Sequence, residues 1–347
     1  MTAILCAKEN WIVDRLAKEY MNYVPDTADC FSIFTNAAQN PPTYTLEDLR
    51  RDFSAQSGGD LWCISPWAVS YNDILRFPGS AAEVIWKTNR VIQTIHHIVP
   101  EKFLCDFKKN KIFEKLDQYT DLYHVTNEKT KQALKQYTEK DIEVLPFWSN
   151  PEQWYSIRET PLYSRLLESM PISKDKFTIG SFQRDTEGYD LVSPKLEKGP
   201  DILCDIVEKL HKTGKEGKKI QLVLAGYNRQ YVINRLRETV PDLNIAYFEK
   251  APIENMNYLY NCLDLYVVSS RTEGGPQALV EASLARCPIV STDVGIAKEI
   301  LSPESIYSNA EDFELATPNV EVAYNNAMKL APENGIIEKF KKMLSGT

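Results

Sequence analysis

Short apolar runs rich in β-branched residues alternate with helical patterns along nearly the whole chain, and this alternation restricts the fold more than any other feature. In the first half the strand-type runs are 3–7 (AILCA), 31–35 (FSIFT), 60–65 (DLWCIS), 91–99 (VIQTIHHIV), 122–126 (LYHVT) and 142–146 (IEVLP). In the second half they are 177–182, 220–226, 243–248, 263–270 and 288–292. Helical patterns at 10–22, 45–55, 128–138, 200–213, 229–238, 254–261 and 276–286 lie among them. Such a series predicts the α/β class, with parallel sheets and crossover helices. At 347 residues the chain is long enough for two such units, joined within 150–175.

Several functions are set aside by what the sequence lacks. G-x-G-x-x-G is absent, and the TGKEGKK run at 213–219 has neither the glycine spacing nor the terminal Ser/Thr of a P-loop. A net charge of −8 argues against a nucleic-acid surface. The basic run 102–115 (KFLCDFKKNKIFEK) reads as a solvated helix face, with a membrane or acceptor role as the alternative. Seven cysteines without a C-x-x-C pair are expected to be buried small hydrophobes. With no run of about 18 apolar residues, and with Lys8 and Glu9 arriving early, a cytoplasmic protein is expected, at most peripheral to a membrane.

The chemistry concentrates in RTEGGPQALVEASLARCPIV, residues 271–290. Gly274 and Gly275 permit a tight turn, and Pro276 suits the first helical position, so a helix is expected to start there and stop before Pro288. Its N-terminal amides suit an anion. Glu281 then lies about 7 Å along the axis, at a rise of about 1.5 Å per residue. That offset fits a ribose attached to a diphosphate, with Glu273 facing whatever the far phosphate carries. Taken alone, both acids read equally well as solvated turn and helix residues. No Asp-x-Asp occurs to tie a metal to a diphosphate, so basic side chains and amides would have to neutralise it. Arg184, at a strand's C-terminal end, and Lys198, just before a helix, are the candidates, with Lys195 competing.

On IGSFQRD, KLEKGPD, QLVLAG, KEIL and above all YLYNCLDLYVVSSRTEGGPQALVEASLARCPIVSTDVG, residues 177–301 resemble glycosyltransferase family 4, the retaining GT-B class. The resemblance implies two Rossmann-like domains facing each other across a cleft. Residues 1–160 would bind the acceptor and 161–330 the nucleotide sugar, and a C-terminal helix in 331–347 would pack back on the first domain. It also assigns roles. Glu281 would hold the nucleotide ribose, Glu273 the donor sugar, and Arg184 and Lys198 the diphosphate. Gly274, Gly275, Pro276, Gln277, Ala278 and Leu279 would line the donor site, and the backbone at Lys250 and Ala251 would meet the base. In the first half, TIHHIVPEKF resembles the segment whose histidine reaches the transferring sugar. Adjacent strand residues face opposite ways, and the motif favours His96 over His97. The CAKENW stretch departs from the family's usual glycine-rich loop, with Lys8, Glu9 and Asn10 in its place.

The resulting expectation is a retaining, metal-independent glycosyltransferase that moves a sugar from a UDP- or GDP-sugar to the hydroxyl of a glycan or glycoconjugate. It needs no cofactor and no nucleic acid partner. The rival expectations are a GT-B-type nucleotide-sugar epimerase and a non-catalytic nucleotide-sugar-binding protein.

Overall fold

The computed structural model describes residues 2–6, 12–25, 28–32, 59–64, 86–99, 112–187 and 190–346. The helical pattern at 45–55, most of the basic run at 102–115, and Lys8, Glu9 and Asn10 lie outside the described residues. The chain divides into two compact units, residues 1–147 together with 335–347, and residues 148–334.

The first unit holds a parallel sheet of β1 (Thr2–Cys6), β2 (Ala28–Ser32), β3 (Asp60–Cys63), β4 (Arg90–Ile95), β5 (Leu122–Val125) and β6 (Asp141–Val144), in the order β2-β1-β3-β4-β5-β6. Helices α1 (Ile12–Tyr23), α2 (Ile112–Gln118) and α3 (Glu128–Leu134) accompany it. β3 and β4 are almost wholly buried whereas edge strand β6 is not, which is why the central strands read as unbroken apolar runs. Two expected strands are corrected. β2 pairs with β1 from Ala28 to Ser32, three residues earlier than the sequence suggested. β4 ends at Ile95, so His96 and His97 lie beyond it, and strand alternation cannot decide between them.

Helix α11 (Ile336–Ser345) belongs to this first unit. Phe340 stacks on Phe147 at 5.8 Å and packs against Trp62 and His124 at 5.6 and 5.4 Å. Arg90 donates from Nη1 to the carbonyls of Met343 and Leu344, at 3.2 and 2.8 Å. A guanidinium there meets carbonyls the helix leaves without partners and favours the negative end of its dipole.

The second unit holds β7 (Phe177–Ser181), β8 (Ile220–Ala225), β9 (Ile245–Phe248), β10 (Leu265–Val268), β11 (Ile289–Thr292) and β12 (Ile306–Tyr307), in the order β12-β11-β10-β7-β8-β9, all parallel. Around them run α4 (Pro161–Ser169), α5 (Pro200–Thr213), α6 (Gln230–Thr239), α7 (Ile253–Asn261), α8 (Gln277–Leu284), α9 (Ala297–Ile300) and α10 (Val320–Met328). Phe177, Ile179, Leu222 and Leu224 of the strands pack with Leu203, Val207 and Leu210 of α5 in one buried cluster. The strand order reverses between β7 and β10, where Leu265 pairs with Ile179 and Tyr266 with Gly180. In an open parallel sheet, ligands bind beyond the carboxyl ends of the strands at such a switch point. That topology directs attention to the loops after Ser181 and after Val268.

Candidate active site

Those two loops carry Arg184, Lys198 and Glu273. Lys198 sits at the end of a 3-10 turn, Leu196–Lys198, and Gly199 follows with φ of 59° before α5 begins at Pro200. A Cβ on Gly199 would lie 1.8 Å from the carbonyl oxygen of Ser269. Only glycine therefore lets this segment close on the end of β10. Further bonds fasten it. The amides of Arg271 and Thr272 donate to the Glu197 carbonyl at 2.8 and 3.1 Å. The Arg271 guanidinium grips Asp201 in a fork at 2.7 and 2.6 Å, which holds the Asp201 carboxyl below its ordinary range.

This fastening brings Lys198 Nζ to 2.5 Å from Glu273 Oε2, with both side chains mostly buried. The other oxygen of Glu273 accepts from Ser270 Oγ at 2.9 Å, and Ser270 Oγ in turn accepts from Gln183 Nε2 at 2.9 Å. A polar chain thus runs from the end of β7 to the turn after β10, across the switch point. Lys195 is held elsewhere, 3.2 Å from Glu197. Arg184 follows Gln183 directly and donates from Nε to the Thr186 carbonyl at 2.9 Å.

Beneath Arg184 lies a fully buried ion pair that the sequence did not reveal. Arg229 Nε donates to Asp185 Oδ2 at 3.0 Å, and its Nη1 donates to the Ser181 and Ala225 carbonyls. Burial pushes the Asp185 carboxyl up, and the neighbouring guanidinium opposes that shift. The pair ties the ends of β7 and β8 together, so its removal from one side would leave a buried charge unmatched.

α8 starts at Gln277, one residue later than expected, because Pro276 keeps an extended backbone (φ −63°, ψ 103°) and serves as the cap. No side chain caps this end of the helix. Gly295 supports the turn from the other side: its φ is 55°, and a Cβ there would lie 2.4 Å from the Gly274 carbonyl oxygen. Gly275, Pro276, Gln277 and Ala278 are half-buried, while Gly274 and Leu279 are buried. Glu281, four residues into α8, is not the solvated helix residue of the plainer reading. It is 7% exposed, and its Oε2 accepts from Tyr260 Oη at 3.0 Å. Burial first, and the Glu281 charge second, push the Tyr260 phenol well up, so it remains a donor.

Lys250, in the left-handed region at φ 55°, and Ala251 follow β9. The Lys250 ammonium lies over the exposed ring of Tyr227, 5.7 Å from its centroid. His96 is in the first unit. Its Nε2 is 2.8 Å from the Ile64 carbonyl, which can only accept, so Nε2 carries the proton and Nδ1 is the acceptor. Burial lowers its pKa, and its ring stacks on Phe147 at 5.9 Å. Among the described residues, Cys63, Cys204, Cys262 and Cys287 are buried. Burial raises the thiols of Cys204, Cys262 and Cys287 to about 12, so they rest in the protonated form at neutral pH.

Of the candidates, then, Lys198 and Glu273 meet directly, and Glu281 lies on the helix that the same turn opens. Ser270, Gln183, Tyr260 and the Asp185–Arg229 pair were missed, since no local spacing marks a side chain whose partner is contributed by another loop.

Residues 193–321 match the family model of glycosyl transferases group 1. A comparison of the sequence with curated proteins finds no match. Among solved structures, Anabaena HepE in complex with UDP and glucose is similar with a TM-score of 0.75 and 13% identity, over 100% of this chain and 99% of that one. The sucrose-phosphate synthase of Thermosynechococcus elongatus gives 0.71 and 13%, over 99% and 98%. A Rickettsia africae glycosyltransferase gives 0.69 and 15%, over 99% and 97%. The fold is that of the GT-B glycosyltransferases, and the family match covers the segment from just before Lys198 to the start of α10. No described helix is long and apolar enough to cross a membrane.

Proposed function

We propose that this chain is a retaining, metal-independent glycosyltransferase of family 4. It transfers a sugar from a UDP- or GDP-sugar to a hydroxyl of a glycan or glycoconjugate. The observation that carries the reading is the meeting of Lys198, Glu273 and the start of α8 at the sheet's switch point. Arg184, Lys198 and the amides of Gly274, Gly275 and Gln277 take the diphosphate. Glu281 takes the ribose hydroxyls, Glu273 the donor sugar, and the backbone of Lys250 and Ala251 the base. An ammonium has three donors, so Lys198 can keep Glu273 while it meets a phosphate oxygen. For His96 the role carried over from the resemblance is to reach the transferring sugar, and in its tautomer Nδ1 is an acceptor.

In the reaction the acceptor oxygen bonds to the anomeric carbon on the face from which the diphosphate leaves. The acceptor proton passes to a phosphate oxygen. Fixed cations and amides aimed at the departing charge supply the main stabilisation, as preorganised dipoles do elsewhere. The test is to screen UDP-, GDP-, ADP- and dTDP-sugars for thermal stabilisation, then measure nucleotide release with candidate glycans in excess EDTA. Acceptor-dependent release that persists in EDTA is expected. A new nucleotide sugar without free nucleotide would instead identify an epimerase, and stabilisation without turnover a binding protein. Loss of release on chelation, restored by a stoichiometric cation, would overturn metal independence.

A further inference from the structure

We infer that Tyr260 is a positioning residue of the nucleotide site, a group that helps hold the Glu281 carboxylate in the orientation that selects a ribose. The inference rests on the reading of Glu281 as the ribose acceptor. Tyr260 is 1% exposed on α7, and its ring is locked among Phe182, Tyr266 and Trp154, at centroid separations of 5.0, 5.4 and 5.9 Å. With the ring so confined, its hydroxyl donates to Glu281 Oε2 at 3.0 Å. Tyr266, in the same cluster, directs no hydrogen bond to Glu281.

A buried carboxylate is tolerable only when hydrogen-bonded. It also offers about four lone-pair positions. The Tyr260 donor occupies one of these positions on Oε2 and restricts the plane in which the carboxylate meets hydroxyls. The rigid phenol sets in advance an orientation that a ligand would otherwise have to impose, at an entropic cost to binding. A merely structural tyrosine would support the fold and every nucleotide alike. A positioning tyrosine supports only the contact made by the hydroxyls.

That difference is measurable by calorimetry with whichever of UDP and GDP binds more tightly, and with its 2′,3′-dideoxy analogue. The wild-type protein should prefer the ribose form by roughly tenfold or more, and Glu281→Gln should erase most of that preference. Tyr260→Phe should weaken the ribose form by about three- to tenfold and leave the dideoxy form unchanged. Tyr266→Phe should leave the ratio as it is. Taking two ligands on one preparation cancels any fraction of the variant that fails to fold. Equal weakening of both ligands by Tyr260→Phe, or an unaltered ratio, would overturn the inference while the ribose reading stands. A wild-type protein that does not discriminate, or binds neither nucleotide, would overturn the ribose reading itself.

Discussion

Among the described residues each unit builds a sheet of six parallel strands, yet one polar chain near the strand ends of each finishes differently. In the first unit one set of buried polar groups forms a closed chain. Trp62 Nε1 donates to Thr94 Oγ1 at 2.9 Å, Thr94 donates to His124 Nδ1 at 2.9 Å, and His124 Nε2 donates to the Leu145 carbonyl at 2.7 Å. Every member is neutral and satisfied. In the second unit the corresponding chain, Gln183 to Ser270 to Glu273 to Lys198, ends in charges. A closed neutral chain stabilises a core, whereas a chain ending in a half-buried cation retains donors to offer a ligand. Polarity at a strand end is thus not in itself a mark of function.

The largest expected effect breaks the charged chain. Lys198→Ala should lower turnover by about 10²- to 10³-fold, the usual scale for losing one transition-state donor. Donor affinity should fall by less, because the leaving diphosphate gains charge that the bound donor lacks. Lys195→Ala, whose ammonium faces Glu197, should do far less. Separate measurement of kcat and of nucleotide Kd checks this, and a more damaging Lys195→Ala would move the cationic role to that residue.

The next effect titrates the neutral chain. Burial lowers the His124 pKa from 6.5 to about 4. Between those values the unfolded chain binds the proton and the folded chain does not. Acid therefore favours unfolding: the stabilisation is whole above about pH 6.5 and lost as pH falls to about 4, a total near 3 kcal/mol. Urea denaturation from pH 4 to 7 should show this slope, and His124→Gln should flatten it. An equal slope in the variant would mean that His124 titrates normally. The smallest effect sharpens the charged side: Glu281→Ala should weaken free nucleotide and nucleotide sugar alike, by about 1.5 to 3 kcal/mol. Calorimetry that finds no change would return Glu281 to a structural role beside Tyr260.

Elements bounded by strong local signals were legible in the sequence. α5 runs from Pro200 to Thr213 as expected, because Gly199 and Pro200 mark its start and Gly214 its end. Lys198 was preferred to Lys195 on the motif, and Lys198 is the one that reaches Glu273. Elsewhere the local signal misled or fell short. The apolar pattern continues through Ile98 and Val99, so β4 seemed to include His96 although pairing with β5 stops at Ile95. β12 is two residues long, too short for any period to show. Tyr260 and Glu281 lie 21 residues apart, and Asp185 and Arg229 lie 44 apart. Such pairs are fixed by which helices and strand ends the topology makes neighbours, and a linear pattern holds no record of that.

The placement of α11 also bears on how the first unit comes into being. Arg90 and the Met343 carbonyl it meets are separated by 253 residues, with the whole of the second unit's chain between them. Closing a flexible loop of that length costs on the order of 5 kcal/mol. That cost falls sharply once residues 148–334 have already folded, since a compact body brings its two ends together. On the ribosome, Trp62, His124 and Phe147 are synthesised well before Phe340, and their shared aromatic face stays uncovered while nearly two hundred further residues emerge. The first unit is the earlier to be translated and the later to be complete.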